Sequence, residues 1–302
     1  LAPAQIPADA TRGPIVAIGG AEDKMKERRV LRQLAQMAGG KNARIAVIPS
    51  ASSIPLKVAE VYARVFTELG VESVQVFNIT SRGEASEPKL IQELERATLV
   101  FFSGGDQLRL VATIGGTPLA QSIRRMNARG VPVAGTSAGA GVLCQHMIAS
   151  GKSGQAIGRR MVSLAPGLGL SNRIVIDQHF SQRHRIGRLL TAVAMNPFLV
   201  GIGIDEDTAA CLTADNRLSV WGRGSVTVVD GMHINYTDVH EVDGKNPIAV
   251  LGMQIHILTA GCSFDLITHN SQGPLRGSSD EEDAPDAEEG DEPDENEAPD
   301  EP

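Results

Sequence analysis

Between residues 14 and 137 the chain alternates short, near-continuous apolar runs with amphipathic segments, and this alternation limits its fold more than any other feature. The runs cover 14–20, 44–52, 73–79, 98–107 and 131–137; the segments between them cover 25–40, 55–70, 88–97 and 116–130. In 25–40, Val30, Leu31, Leu34 and Met37 recur at helical spacing, and glycines close the segment. Strands that are apolar on both faces, alternating with helices, predict a parallel sheet covered on both sides. After residue 165 the pattern changes. Short strand-like runs at 173–179, 199–205, 208–214, 217–222, 225–231, 232–238 and 255–260 are divided by Gly and Asp-Asn turns. The expected fold is therefore α/β: a mainly parallel sheet flanked by helices, extended by antiparallel strands toward the C-terminus. No fixed-period repeat is present. The expected organisation is a loose leader (1–12), a single α/β domain (13–273) and an acidic tail (274–302).

The tail governs how charge is read. The 302 residues carry 28 Lys+Arg and 36 Asp+Glu, but 14 of the acids lie from Asp280 onward, where there is no Lys or Arg. Residues 1–279 thus hold 28 bases against 22 acids, a mildly basic body. The tail composition predicts disorder, with solubility as its role and a fold-back onto a basic site as the second idea. Nucleic-acid binding would call for more basic residues interleaved with aromatics, and aromatics are only 3% of the chain. No apolar run reaches the roughly 18–20 residues of a membrane span, and no signal peptide is visible. A cytoplasmic location is expected, with a secreted form left open. Cys144, Cys211 and Cys262 are odd in number and lack metal-site spacing, so buried free thiols are expected rather than a disulfide framework or zinc site.

In open parallel sheets ligands bind beyond the carboxyl ends of the strands. Four loops follow strand ends here: Gly19–Asp23, Pro49–Ser52, Gly104–Gln107 and Gly135–Ser137. The first lacks the G-x-G-x-x-G spacing of a dinucleotide site. The last, within "VPVAGTSAGAGVL", either lets two elements pack closely or presents Ser137 as a nucleophile on a strand-to-helix turn. On the second reading the Ala138 N–H, at a helix N-terminus, stabilises an oxyanion, with Gly104 or Gly105 as the second donor. A base is offered by His179, just past a strand end; His184 lies in the same polar stretch. Its acid partner is Asp205, Glu206 or Asp207, among which alternation does not choose. A helix expected from near Ser181 would carry Arg183, Arg185 and Arg188 in its first turns. Positive charge there opposes the helix dipole unless an anion binds.

The segments "AIGGAEDK", "IPSASS", "FSGGDQLRL", "GTSAGAGVL", "DQHFSQRHRIGRL" and "GIGIDEDTA", taken in this order, resemble peptidase family S51. The resemblance implies a glutamine-amidotransferase-like (flavodoxin-like) fold with Ser137 as nucleophile, His179 as general base and Glu206 as the third member. It implies oxyanion donors at Ala138 and in the Gly104/Gly105 loop. It implies substrate contacts at Gln107, Asp177, Gln178, Arg183, Arg185 and Arg188, a homodimer, and no metal or cofactor. Within the family the segments are most similar to the branch that degrades cyanophycin, a polyaspartate with arginine on each side-chain carboxyl. For that substrate Asp177 and Gln107 would accept from guanidinium groups and the arginines would bind carboxylates. The alternatives are an α-aspartyl dipeptidase of the same family, acting on small acidic peptides, and a binding protein with a decayed site.

Overall fold

A computed structural model describes residues 2–244 and 246–274. The acidic tail expected over 274–302 lies, beyond Pro274, outside the described residues.

The parallel part of the sheet is built as the alternation predicts. Strands β1 (Ile15–Ile18), β2 (Arg44–Ile48), β3 (Ser73–Val76), β4 (Leu99–Phe102) and β5 (Val133–Thr136) pair in parallel in the order β1-β5-β4-β2-β3. The period of two in each strand splits the interior into two cores. Ile15, Ala17, Ile48, Val100 and Phe102 face one side, where α3 (Pro88–Leu94), α4 (Gln107–Ile114) and α5 (Pro118–Ala128) pack. Val16, Ile18, Val47, Leu99 and Phe101 face the other, against α1 (Arg29–Met37) and α2 (Pro55–Glu68). Because the chain leaving β1 packs on one face (Val30, Leu31) and the chain leaving the neighbouring β5 packs on the other (Ala138, Ala140), the carboxyl ends of β1 and β5 form a crevice that a ligand can enter.

Three local differences from the expected elements have identifiable causes. Helix α1 starts at Arg29 because the Asp23 carboxylate accepts from the N–H groups of Met25, Lys26, Glu27 and Arg28, and the chain loops around it. Those bonds also hold the Asp23 carboxyl well below its ordinary range. Helix α4 was not expected; Asp106 caps it, accepting from Leu108 N–H and Arg109 N–H at 2.8 and 3.1 Å. The hairpin β6 (His146–Gly151) and β7 (Val162–Pro166) was also not expected, and a register shift between Ile148 and Ser150 breaks the alternation that would have revealed it.

The C-terminal strands divide between two sheets rather than extending one. Strands β8 (Ile174–Gln178), β9 (Val200–Ile204), β12 (Val226–Asp230) and β15 (Gln254–Leu258) form a second sheet backed by α7 (Ile186–Met195). The main sheet is extended by β10 (Thr208–Leu212), β11 (Arg217–Gly222), β16 (Ser263–Asp265) and β17 (Ser271–Gln272), all antiparallel. A small pair, β13 (Tyr236–Thr237) and β14 (Val250–Leu251), stands apart. The physical reason is edge capacity: β10 occupies the free edge of β1, from Ile15↔Leu212 to Ile18↔Ala209, so β8 and β9 must pair elsewhere. The chain passes between the two sheets in the turn Asp205–Asp207, at the carboxyl end of β1. Among the described residues no helix is long and apolar enough to cross a membrane.

Candidate active site

Ser137 closes β5 with φ 54° and ψ −119°, a backbone that costs a non-glycine residue about 1–3 kcal/mol. The turn is held by Ser137 N–H donating to Ile18 O at 2.9 Å and by Ala140 and Gly141 N–H donating back to Ser137 O. Its small neighbours are demanded by backbone, not by side chains. A Cβ on Gly135 would lie 2.1 Å from Gly139 O, and one on Gly139 would lie 2.4 Å from Phe102 O. The turn is therefore crowded and also projects the Ser137 side chain, so the two readings of "GTSAG" describe one object.

His179 follows β8 on the second sheet, and its N–H donates to Gly19 O at 2.8 Å, fastening that sheet to the end of β1. Its ring lies between the two other members: Nε2 is 2.8 Å from Ser137 Oγ and Nδ1 is 2.5 Å from Glu206 Oε1. A carboxylate only accepts, so Nδ1 carries the proton toward Glu206 and Nε2 is left to accept from the serine hydroxyl.

The ring rests on Gly20, a residue sequence reasoning placed on the rim without a role. A Cβ there would meet His179 Cε1 at 2.3 Å and Nε2 at 2.5 Å, and the Gly20 φ is +100°. Gly20→Ala should therefore push the imidazole aside and lower kcat about 100-fold, the scale expected for an ångström-sized misplacement, while a thermal melt moves by a few degrees. Unchanged kcat would show that the ring position is not needed.

The three acids of the β9–β10 turn point three ways. Asp205 is buried and turns inward, accepting from Ser181 N–H and from Ser225 N–H and Oγ–H. Burial pushes its pKa up, but the bonds from Ser181 and Ser225 leave it net lowered. Asp207 accepts from Asp23 N–H at 2.8 Å and sits 3.5 Å from Arg223 Nε. Glu206 alone faces His179, and Gln182 Oε1 accepts from its backbone N–H at 3.1 Å.

The expected oxyanion donors converge in part. Gly104 closes on the serine: a Cβ there would lie 3.2 Å from Ser137 Cβ and 3.7 Å from Ser137 Oγ. Among the described residues the N–H groups of Gly104, Gly105 and Ala138 donate to no protein acceptor. Helix α6 (Ala138–Gly141) is a single turn, which corrects the expectation of a helix dipole behind Ala138. What remains is the N–H itself, since dipoles must add over several turns to matter.

The expected substrate residues separate into layers. Asp177 is fully buried, and its carboxylate is gripped by Arg188, whose Nε donates to Oδ2 at 2.5 Å and whose Nη2 donates to Oδ1. Asp177 also lies 3.3 Å from Arg185 Nη1. The expectation that Asp177 accepts from a substrate guanidinium is corrected: the protein's own arginines occupy it. The expected helix from Ser181 is likewise a 3-10 turn, Ser181–Arg183, and α7 begins only at Ile186. Arg183 is exposed. Gln107 donates from Nε2 to Ile148 O and Ala149 O at 3.1 and 3.0 Å, so it braces the β6 hairpin.

Arg185 carries what the cluster leaves over. Two guanidinium groups share one carboxylate. Arg185 Nη1 donates to Gln178 O at 2.5 Å, while its buried Nε has no protein partner. Burial pulls the Arg185 pKa down to about 10, partly opposed by Asp177 and reinforced by the positive charges of Arg188 and Arg183. An anion placed here would complete it. Removing Asp177 would strand two cations in the interior. Asp177→Ala is expected to cost about 3–5 kcal/mol, read as a fall in the denaturant midpoint.

The thiols of Cys144 and Cys211 are buried and pushed up to about 12 by burial, so neither competes with Ser137 as a nucleophile. Among the described residues no group of three or more His, Cys, Asp or Glu side chains is placed to hold a metal ion.

A strained serine on a strand-to-helix turn, bonded to a histidine that is bonded to a carboxylate, at the crevice of a parallel α/β sheet, has the geometry of a serine hydrolase. The profile of peptidase family S51 matches residues 15–219, and the chain belongs to that family of hydrolytic peptidases. It is 44% identical over 262 residues to a cyanophycinase of Synechococcus elongatus, covering 86% of this chain and 81% of that protein. It is 40% identical over 267 residues to a cyanophycinase of Geminocystis herdmanii, covering 88% and 97%. A solved structure of a peptidase from an acI-B1 actinobacterium shares the fold, with a TM-score of 0.63 at 24% identity, covering 84% of this chain and 97% of that one.

Proposed function

We propose that this protein is a serine exopeptidase that hydrolyses cyanophycin, multi-L-arginyl-poly-L-aspartate, to β-Asp-Arg dipeptides through an acyl-enzyme. The observation that carries the reading is the continuous chain Ser137 Oγ–His179 Nε2 at 2.8 Å and His179 Nδ1–Glu206 Oε1 at 2.5 Å, beside a cluster with one guanidinium more than its carboxylate. His179 Nε2 takes the hydroxyl proton as Ser137 Oγ bonds to the scissile carbonyl carbon. Glu206 steadies the imidazolium. The oxyanion is held by Ala138 N–H and by an N–H of the Gly104/Gly105 loop. The C–N bond breaks as His179 returns the proton to the leaving nitrogen. Water, deprotonated by His179, then attacks the ester and frees Ser137.

The substrate follows from the charges. Each repeat of cyanophycin presents a free arginine carboxylate; in this reading Arg185 binds it, a role supported by its unpartnered Nε, while Arg188 and Asp177 hold Arg185 in position and Arg183 lies at the surface. Gln178 accepts from Arg185 and so fixes its position; Gln107 shapes the adjoining wall. The two relatives described above, both cyanophycinases matched over most of their length, support the same choice. A homodimer and a cytoplasmic location belong to this proposal as well.

Incubating the protein with insoluble cyanophycin, and separately with Asp-Leu, tests it. Release of β-Asp-Arg from the polymer is the expected result. Turnover of Asp-Leu alone would move the protein to the aspartyl dipeptidases.

A further inference from the structure

A cavity of about 360 Å³ opens on Ser137 and is lined by none of the six residues expected to hold substrate. Ile54, Val58 and Val61 form apolar wall, and Lys24 and Lys57 line it as well. Its charged floor is already neutralised. The Glu22 carboxylate, almost fully buried, accepts from Tyr62 OH, from Thr136 Oγ1 at 2.6 Å and from Lys24 Nζ at 3.0 Å. Burial, with the Glu22 charge adding to it, pushes the Tyr62 hydroxyl well above its ordinary pKa, so it stays a donor. Lys24 is thus committed to Glu22 and also lies 5.2 Å from the Tyr62 ring centroid. Lys57 is exposed and has no ion-pair partner among the described residues.

A peptide bond under attack must extend to both sides of the nucleophile. Arg185 is tied to Gln178, the chain neighbour of His179, whereas this cavity opens on Ser137 and includes none of that cluster. Its surplus charge is positive and its walls are aliphatic. It therefore suits a carboxylate carried next to an apolar stem, with any guanidinium kept outside the cavity.

We propose that this cavity is a second substrate subsite, in which Lys57 recognises a free carboxylate of the unit across the scissile bond from the one bound at Arg185. The inference rests on the proposed function. On cyanophycin the group is the α-carboxylate of a substrate arginine, whose first methylenes run along Val58 and Val61 and whose guanidinium is directed out of the cavity, away from Lys24 and Lys57. Lys57 is here a specificity-determining residue and takes no part in proton transfer.

The test uses two short arginylated-aspartate oligomers that differ only in carrying their arginine carboxylates free or as carboxamides. The quantity read is the ratio of kcat/KM for the free acid over the carboxamide. In Lys57→Met this ratio should fall about tenfold, the scale of one charge-assisted hydrogen bond, and Lys57→Arg should restore most of it. A ratio unchanged in Lys57→Met, or one lost equally in Lys57→Arg, overturns the proposal. Binding to Ser137→Ala protein by calorimetry supplies a readout without turnover. The free-acid oligomer should bind about tenfold more weakly when Lys57→Met is added, and equal binding also overturns the subsite. If the wild type cleaves neither oligomer yet binds the acid through Lys57, the failure lies with the peptidase reading and not with the subsite.

Discussion

Ser137→Ala is expected to lower kcat on cyanophycin by about a millionfold, with little change in KM or in folding. The hydroxyl is the atom that bonds to the carbonyl carbon, and within hydrogen-bond reach of His179 Nε2 there is no other nucleophilic side chain among the described residues. The strain at Ser137 also gives a control. The backbone at φ 54° is equally costly for Ala, so stability should shift by less than about 1 kcal/mol. His179→Ala should do nearly the same damage as Ser137→Ala, and the double variant should be no worse than either single one. Such non-additivity is the sign of groups that act as a unit. The measurement is a set of four kcat values under single-turnover conditions. Independent, multiplying losses would mean that the 2.8 Å contact is not the catalytic one.

Glu206→Gln is expected to lower kcat about 10^3- to 10^4-fold while leaving the shape of the site intact. A glutamine fills the same space, but it removes the charge that stabilises the imidazolium. It also offers an N–H that can turn Nδ1 into the acceptor, putting the proton on the wrong nitrogen. The lower part of the range reflects exposure: the Glu206 side chain is 36% accessible, so water can take part of its role. The neighbours provide the contrast. Asp207→Asn should stay within about tenfold of wild type, since Asp207 serves Asp23 N–H and Arg223. Asp205→Asn should act mainly on stability, because its bonds go to Ser181 and Ser225. Its carboxyl is held below the ordinary range in the folded chain. The stabilisation is therefore present above the unfolded pKa near 4 and lost as pH falls through the lower folded value. If Asp207→Asn were the crippled variant and Glu206→Gln the mild one, the acid would be wrongly assigned.

How much of this was legible in the sequence differs from element to element. Hydrophobic period is a local property, so β1, β2, β4 and β5 and the helices α1, α2 and α5 follow directly from it, with ends moved only where a side chain such as Asp23 captured the backbone. Helix α4 had its signals, an Asp cap and the Gly115–Gly116 stop, but a glycine loop in front of it masked them. The family pattern pointed to Ser137, His179 and Glu206 before any geometry was known. The residues alone could not choose among Asp205, Glu206 and Asp207, because three adjacent acids in a turn differ only in direction.

The sequence by itself determined the parallel α/β frame, the crowded serine turn, and a chain whose positive body and arginine-rich stretch favour a substrate bearing carboxylates. Tertiary structure decided what pairing and packing decide. Only β10 fits on the edge of β1, so the histidine arrives from a second sheet and the acid from the turn that links the two. Only burial reveals that Asp177 is consumed by Arg188 and Arg185, that Gly20 is the bare floor under the imidazole, and that an apolar-walled cavity opens beside Ser137. Some of these contacts join residues far apart in the chain and others, such as Asp177 with Arg185, residues only a turn or two away, but neither hydrophobic period nor residue type encodes the direction in which a side chain points.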